Sequence, residues 1–198
     1  FNRKFALSKY EVNDSPKEGW DFPVDLIYPI ITGPHIEAFH FNSSNEFCIL
    51  PYLEGDTKKP IIKEKMIKYH RKIFTYLANH KTIIDMQSEK SKIMHRGEEF
   101  YSLSKIGDYT FSDNIVAARD NSTFCACVVN KQVTPWQEIK QTICVKHTII
   151  ISQDKYGRFI TENEAYYICG IRQTPARKNP ALPDWVFHRP RLERSWPS

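Results

Sequence analysis

Lys63, Lys65, Lys68, Arg71 and Lys72 crowd into the ten residues KEKMIKYHRK, and the chemistry open to such a run is electrostatic. Ammonium and guanidinium groups at this density neutralise phosphates and release their counterions. The same run can also serve as a helix face that simply stays wet. Other chemistry-bearing residues are sparser. Glu138-x-Lys140 supplies a fragment of the carboxylate-and-lysine pattern of metal-dependent nucleases, with no Pro-Asp partner upstream. His35 and His40 stand five apart across a predicted turn, and His70 and His80 do not share a helical face, so the histidines form no metal pair. Cys125-x-Cys127 has the wrong spacing for a zinc knuckle.

The seven glycines are isolated, which leaves neither a phosphate-cradling loop nor a serine nucleophile elbow. Asn179-Pro180-Ala181-Leu182 is similar to the Asn-Pro-Pro-aromatic loop that holds a flipped adenine, but lacks the second proline and the stacking ring. The residues describe a reader rather than a catalyst.

The element that must carry the basic run is a helix. Ile62, Met66, Tyr69, Ile73, Tyr76 and Leu77 recur at steps of three and four, which predicts one amphipathic helix from Pro60 to His80. Pro60 suits its first position, and Asn79-His80 supply a stop. A polar segment follows, and then FYSLSK reads as an aromatic-and-basic strand after Gly97. In that strand Phe100 and Tyr101 alternate as core residues.

Before the helix, LIYPII and FCILPYL read as strands, with a Gly33-Pro34 break between them. After it, GDYTFSDNIVAARD and TFCACVVN form a hairpin, KQTICVKHTIII is a further strand, and DKYG is a turn. Thr161 or Asn163 caps a short helix, EAYYICGI. Strands and helices do not alternate regularly. The expected class is therefore α+β, with mixed, mainly antiparallel sheets, one long basic helix and a short C-terminal helix. Residues 1–25 read as a connector, and 172–198 as a proline- and arginine-rich tail.

A chain of 198 residues, 41% hydrophobic, can bury a core of its own. Its net charge of +5 admits nucleic acid as a partner without requiring it. No apolar run approaches the roughly 18 residues of a membrane span. Five cysteines in apolar, strand-like runs fit reduced thiols and a cytoplasmic setting. A first residue of Phe rather than Met points to a fragment of a longer polypeptide.

The order of the pieces YPIITGPHIEAFHF, FCILPYLEGD, KYHRKIFTYLANHK, FYSLSKIGDYTFSDNIVAARD, FCACVV and ENEAYYICGI resembles a known family. It is that of the C-terminal target recognition domain of bacterial DNA adenine-N6 methyltransferases and type IIG restriction-modification enzymes. The resemblance covers residues 26–171. It departs from the family pattern at the insert TIIDMQSEKSKIM and after Ile171, where RQTP and a proline-rich run replace the expected residues.

What the resemblance implies is sequence-specific recognition of double-stranded DNA, with catalysis elsewhere. An N-terminal methyltransferase domain would bind S-adenosylmethionine, and a fused nuclease would need Mg2+. This fragment would hold no cofactor and would not be an enzyme by itself. Lys68, Arg71, Lys72, Lys90, Lys92 and Arg96 are then phosphate-contact candidates. Lys105 and Arg119 could reach guanine O6 and N7, Asn114 or Asn121 could pair with adenine, and His35 is a further loop contact. Two rivals stay open: a nuclease domain of a restriction system, and a protein-interaction module of a modification or defence complex.

Overall fold

A computed structural model describes residues 6–7, 10–11, 23–44, 46–91, 99–103, 106–119, 125–145 and 148–173. The chain is α+β, and its strand pairings are mainly antiparallel. It divides into two compact units, Phe1–Pro29 with Asn45–Phe111, and Ile30–Ser44 with Ser112–Ser198. No helix among the described residues is long and apolar enough to cross a membrane.

In the first unit, β1 (Ala6–Leu7) pairs with β2 (Tyr10–Glu11). A 3-10 turn at Val24–Leu26 leads into β3 (Ile27–Ile31), whose first three residues pair antiparallel with β4 (Phe47–Ile49). Three helices follow: α1 (Lys63–Tyr69), α2 (Arg71–Asn79) and α3 (Lys81–Ser91).

The single helix expected over Pro60–His80 is thus divided. His70, at φ −127° and ψ 38°, ends α1 and opens α2. Its N–H still bonds Met66 O at 2.9 Å, and Phe74 N–H bonds His70 O at 2.9 Å, so hydrogen bonding runs into and out of the break. The imidazole turns inward, where Nδ1 lies 2.9 Å from Asp25 Oδ2. The contact lacks hydrogen-bond geometry and leaves Nδ1 with no other partner. The break shifts the apolar face. Met66, Ile73, Tyr76 and Leu77 are buried as expected, while Ile62 and Tyr69 are exposed. The expected stop at Asn79-His80 is real but brief, because α3 begins at once and Ile84 N–H bonds His80 O.

Of the segment read as a strand at 100–105, residues 104 and 105 lie outside the described residues, and the described part instead forms a turn at Glu99–Ser102, closed by Ser102 N–H on Glu99 O. Side chains explain why it does not extend. The Tyr101 hydroxyl donates to Ile61 O at 2.7 Å, Glu99 Oε1 accepts from Lys63 N–H at 2.9 Å, and Tyr52 bonds both N–H and O of Leu103. Phe74, Phe100 and Tyr101 meet edge to face, with Tyr101 buried. Tyr101 is core as expected and Phe100 half-buried, but in a turn rather than by strand alternation.

In the second unit, β5 (Ile115–Arg119) and β6 (Ala126–Val129) form the expected antiparallel hairpin pairing. β7 (Gln132–Val133) pairs with β8 (Ile139–Lys140), and β9 (Ile143–Cys144) runs parallel to Ile30–Ile31 of β3. β10 (Thr148–Ile151) completes the sheet order β10-β5-β6. The stretch read as one strand over 140–151 is therefore three short ones. Buried Gln141 and Thr142 interrupt it, with the Thr142 hydroxyl donating to Asn130 O.

The last helix, α4 (Glu162–Gln173), is longer than the expected EAYYICGI and continues through Arg172 and Gln173. It packs on the sheet through Ala165, Ile168 and Cys169, against Val116, Ala126, Val128 and Ile151. Thr161 is its cap: its hydroxyl accepts from Glu164 N–H, while Glu164 Oε2 accepts from Thr161 N–H at 2.8 Å.

Candidate nucleic-acid interface

The basic run becomes a solvent-facing surface of the first unit. Lys58, Lys59, Lys63, Lys65, Lys68, Arg71 and Lys72 are all exposed, against one acid, Glu64, within residues 58–72. The arrangement follows from the helix pattern, since burying Met66 and Ile73 turns the cations outward. Lys68 Nζ lies 5.0 Å from the ring centroid of the exposed Tyr69, so an aromatic ring sits among the cations. Sequence reasoning missed Tyr69 by assigning it to the apolar stripe. The break at His70 was the missing signal.

The remaining phosphate-contact candidates divide. Lys90 lies on α3, close to its end. Lys92, Arg96 and Lys105 fall outside the described residues, as does Asn121.

The other candidates belong to the second unit. His35 ends a 3-10 turn, Gly33–His35, whose Ile36 N–H bonds Gly33 O. Thr32 N–H donates to His35 Nδ1 at 3.1 Å, and Thr32 Oγ1 lies 2.8 Å from the same nitrogen. A backbone N–H can only donate, so Nδ1 supplies a lone pair and the neutral ring carries its proton on Nε2. The half-buried ring therefore presents one donor, suited to a purine N7, a carbonyl oxygen or a phosphate.

Arg119 is the last residue of β5, half-buried, with its backbone N–H on Cys125 O. The turn carrying His35 packs against β5. Asn114 precedes β5, and its Nδ2 donates to Ile160 O at 3.2 Å, which ties it to the approach to α4. That bond is structural and occupies one of the amide's donors.

Sequence reasoning also missed Phe39. It is 66% exposed and takes φ 68° with no glycine to announce the bend.

Groups that could serve other chemistry are otherwise engaged. Glu138 Oε2 accepts from Trp136 Nε1 at 3.1 Å and lies 3.5 Å from Lys140 Nζ. No three His, Cys, Asp or Glu side chains gather as metal ligands among the described residues. Burial pushes the thiols of Cys48 and Cys127 up to about 12, so both are protonated at neutral pH and poor nucleophiles. Gly55 and Gly157, at positive φ, turn the tight loops at Leu53–Asp56 and Asp154–Arg158.

No family model and no curated protein matches the chain.

Proposed function

We propose that this chain is a sequence-specific reader of double-stranded DNA, the target recognition module of a restriction-modification methyltransferase. The observation that carries the reading is the exposed cationic surface of residues 58–72, leading into and along α1 and the start of α2, with seven lysines and arginines against one acid. Lys68, Arg71 and Lys72 clamp phosphates and set the register, a sequence-independent contribution. Specificity comes from the second unit, where His35 offers a donor fixed by Thr32 and Arg119 ends β5. Methyl transfer, with its S-adenosylmethionine, belongs to another domain of the parent protein, as would Mg2+-dependent cleavage.

The test is duplex binding by the full chain over a salt series. Affinity should fall linearly on a log–log plot, with a slope of about −0.9 per phosphate neutralised. Binding that ignores salt, or none at low salt, would count against the reading. The protein-interaction alternative would then be tested by capture of a partner subunit.

A further inference from the structure

The loop after the Gly33–His35 turn holds an aromatic ring in solvent on a backbone that resists the conformation. Ile36 and Phe41 face each other as an isolated antiparallel bridge. Between them Glu37 N–H donates to His40 O at 2.9 Å, and at the base Asn42 N–H donates to His35 O at 2.9 Å. Asn42 Nδ2 also bonds Glu37 Oε1 at 2.6 Å, and His40 Nε2 lies 3.3 Å from Glu37 Oε2.

At the tip, Phe39 sits at φ 68°, a left-handed conformation that strains a bulky L-residue. Its N–H is pinned to Ala126 O at 2.9 Å, and its side chain is 66% exposed. Glycine or asparagine would meet the backbone's demand with less strain. A ring this exposed contributes little to a core. Folding alone gives no reason for phenylalanine here.

The loop also has a setting. Ala126 pairs with Ala118, the neighbour of Arg119, and the His35 turn packs on the same β5 strand. The Phe39 backbone therefore lies about two strand spacings, roughly 10 Å, from the end of β5. The Phe39 loop and the His35 turn that leads into it thus both lie against the β5–β6 pair of the second unit.

We infer that Phe39 is a base-stacking wedge, whose ring enters the stack of a DNA duplex beside the base edge met by His35. This inference rests on the DNA-reading function proposed above. Every base offers a π face, so such a contact tolerates sequence and adds affinity where a step is already distorted. The strained backbone keeps the ring presented, so little ordering is left to occur on binding.

The experiment compares the full chain with its Phe39→Gly and Phe39→Tyr variants on a randomised duplex pool at low salt. The same pool carrying one abasic site serves as a second probe. Thermal melting of each protein runs alongside. Phe39→Gly should melt no lower than the parent, because glycine relieves the positive φ, yet bind duplex about tenfold more weakly. The parent and Phe39→Tyr should prefer the abasic pool, and Phe39→Gly should lose that preference.

Equal binding by parent and Phe39→Gly, with no difference in abasic preference, would overturn the wedge and leave the DNA-reading function standing. Weaker binding that tracks a lower melting temperature would make Phe39 a structural residue and also overturn it. Failure of the parent to bind any duplex would remove both.

Discussion

His70 Nδ1 lies 2.9 Å from Asp25 Oδ2 at the point where α1 gives way to α2. The contact sits at the break in a helix that sequence periodicity would run straight through, with Lys68 and Tyr69 exposed on one side of it and Arg71 and Lys72 on the other. Asp25→Ala should lower stability by no more than about 1 kcal/mol, the range of a partly exposed polar contact. Urea unfolding of the two proteins measures the difference. A larger loss would mean that Asp25 also holds the Val24–Leu26 turn.

Tyr101 fixes the segment that follows the helices. Its hydroxyl donates to Ile61 O at 2.7 Å from a buried position. Tyr101→Phe keeps the ring packing against Phe74 and Phe100 and removes that bond together with the hydroxyl's interaction with Glu99, at a cost of about 1–2 kcal/mol. A neutral result in chemical denaturation would show that Ile61 O finds a replacement partner.

The cationic face should act through charge rather than fold. Lys68→Ala, Arg71→Ala and Lys72→Ala together should flatten the salt slope of duplex binding by up to about 3. Each change on this exposed surface should alter stability by no more than about 0.5 kcal/mol. A combined variant with unchanged slope would move the phosphate contacts elsewhere on the chain.

Acid should loosen the entry to α4. The Arg158 guanidinium, bonding Glu164 at 2.7 and 3.0 Å, holds that carboxyl at about 2, with the Thr161 backbone N–H adding to the effect. A carboxyl depressed below its ordinary value of 4.5 stabilises the fold fully above that pH. The contribution fades as pH falls from 4.5 toward 2. Glu164→Gln should therefore be less stable than the parent at neutral pH, with the two converging near pH 2. Denaturation curves at a series of pH values test the convergence.

His35 should specify one position of the target. Its Nε2 proton follows from the Thr32 N–H bond to Nδ1, so His35→Ala loses a single donor. The expected cost is about 1 kcal/mol at one base and little elsewhere. Competition between single-base variants of a bound duplex measures it. A uniform loss at every position would instead make His35 a phosphate contact.

Much of this architecture was legible in the sequence because it is local. The β5–β6 hairpin follows from apolar runs around a polar turn, and the Thr161 cap from a hydroxyl three residues before Glu164. What escaped depends on contacts distant in sequence. The break at His70 involves Asp25, 45 positions earlier, and the turn at Glu99–Ser102 depends on Tyr52 and Ile61. The basic face was readable from spacing, and so was the burial of Met66 and Ile73. Phe39 was not, since nothing in EAFHF signals a left-handed residue. The bond of Asn114 Nδ2 to Ile160 O, 46 positions later, was likewise not legible.

The central claim, sequence-specific reading of duplex DNA, is tested most directly by selection from a randomised duplex pool with sequencing of the bound fraction. The expected result is an enriched motif whose recovery drops steeply as salt rises. Recovery of duplexes with no enriched sequence, or of none at low salt, would contradict it.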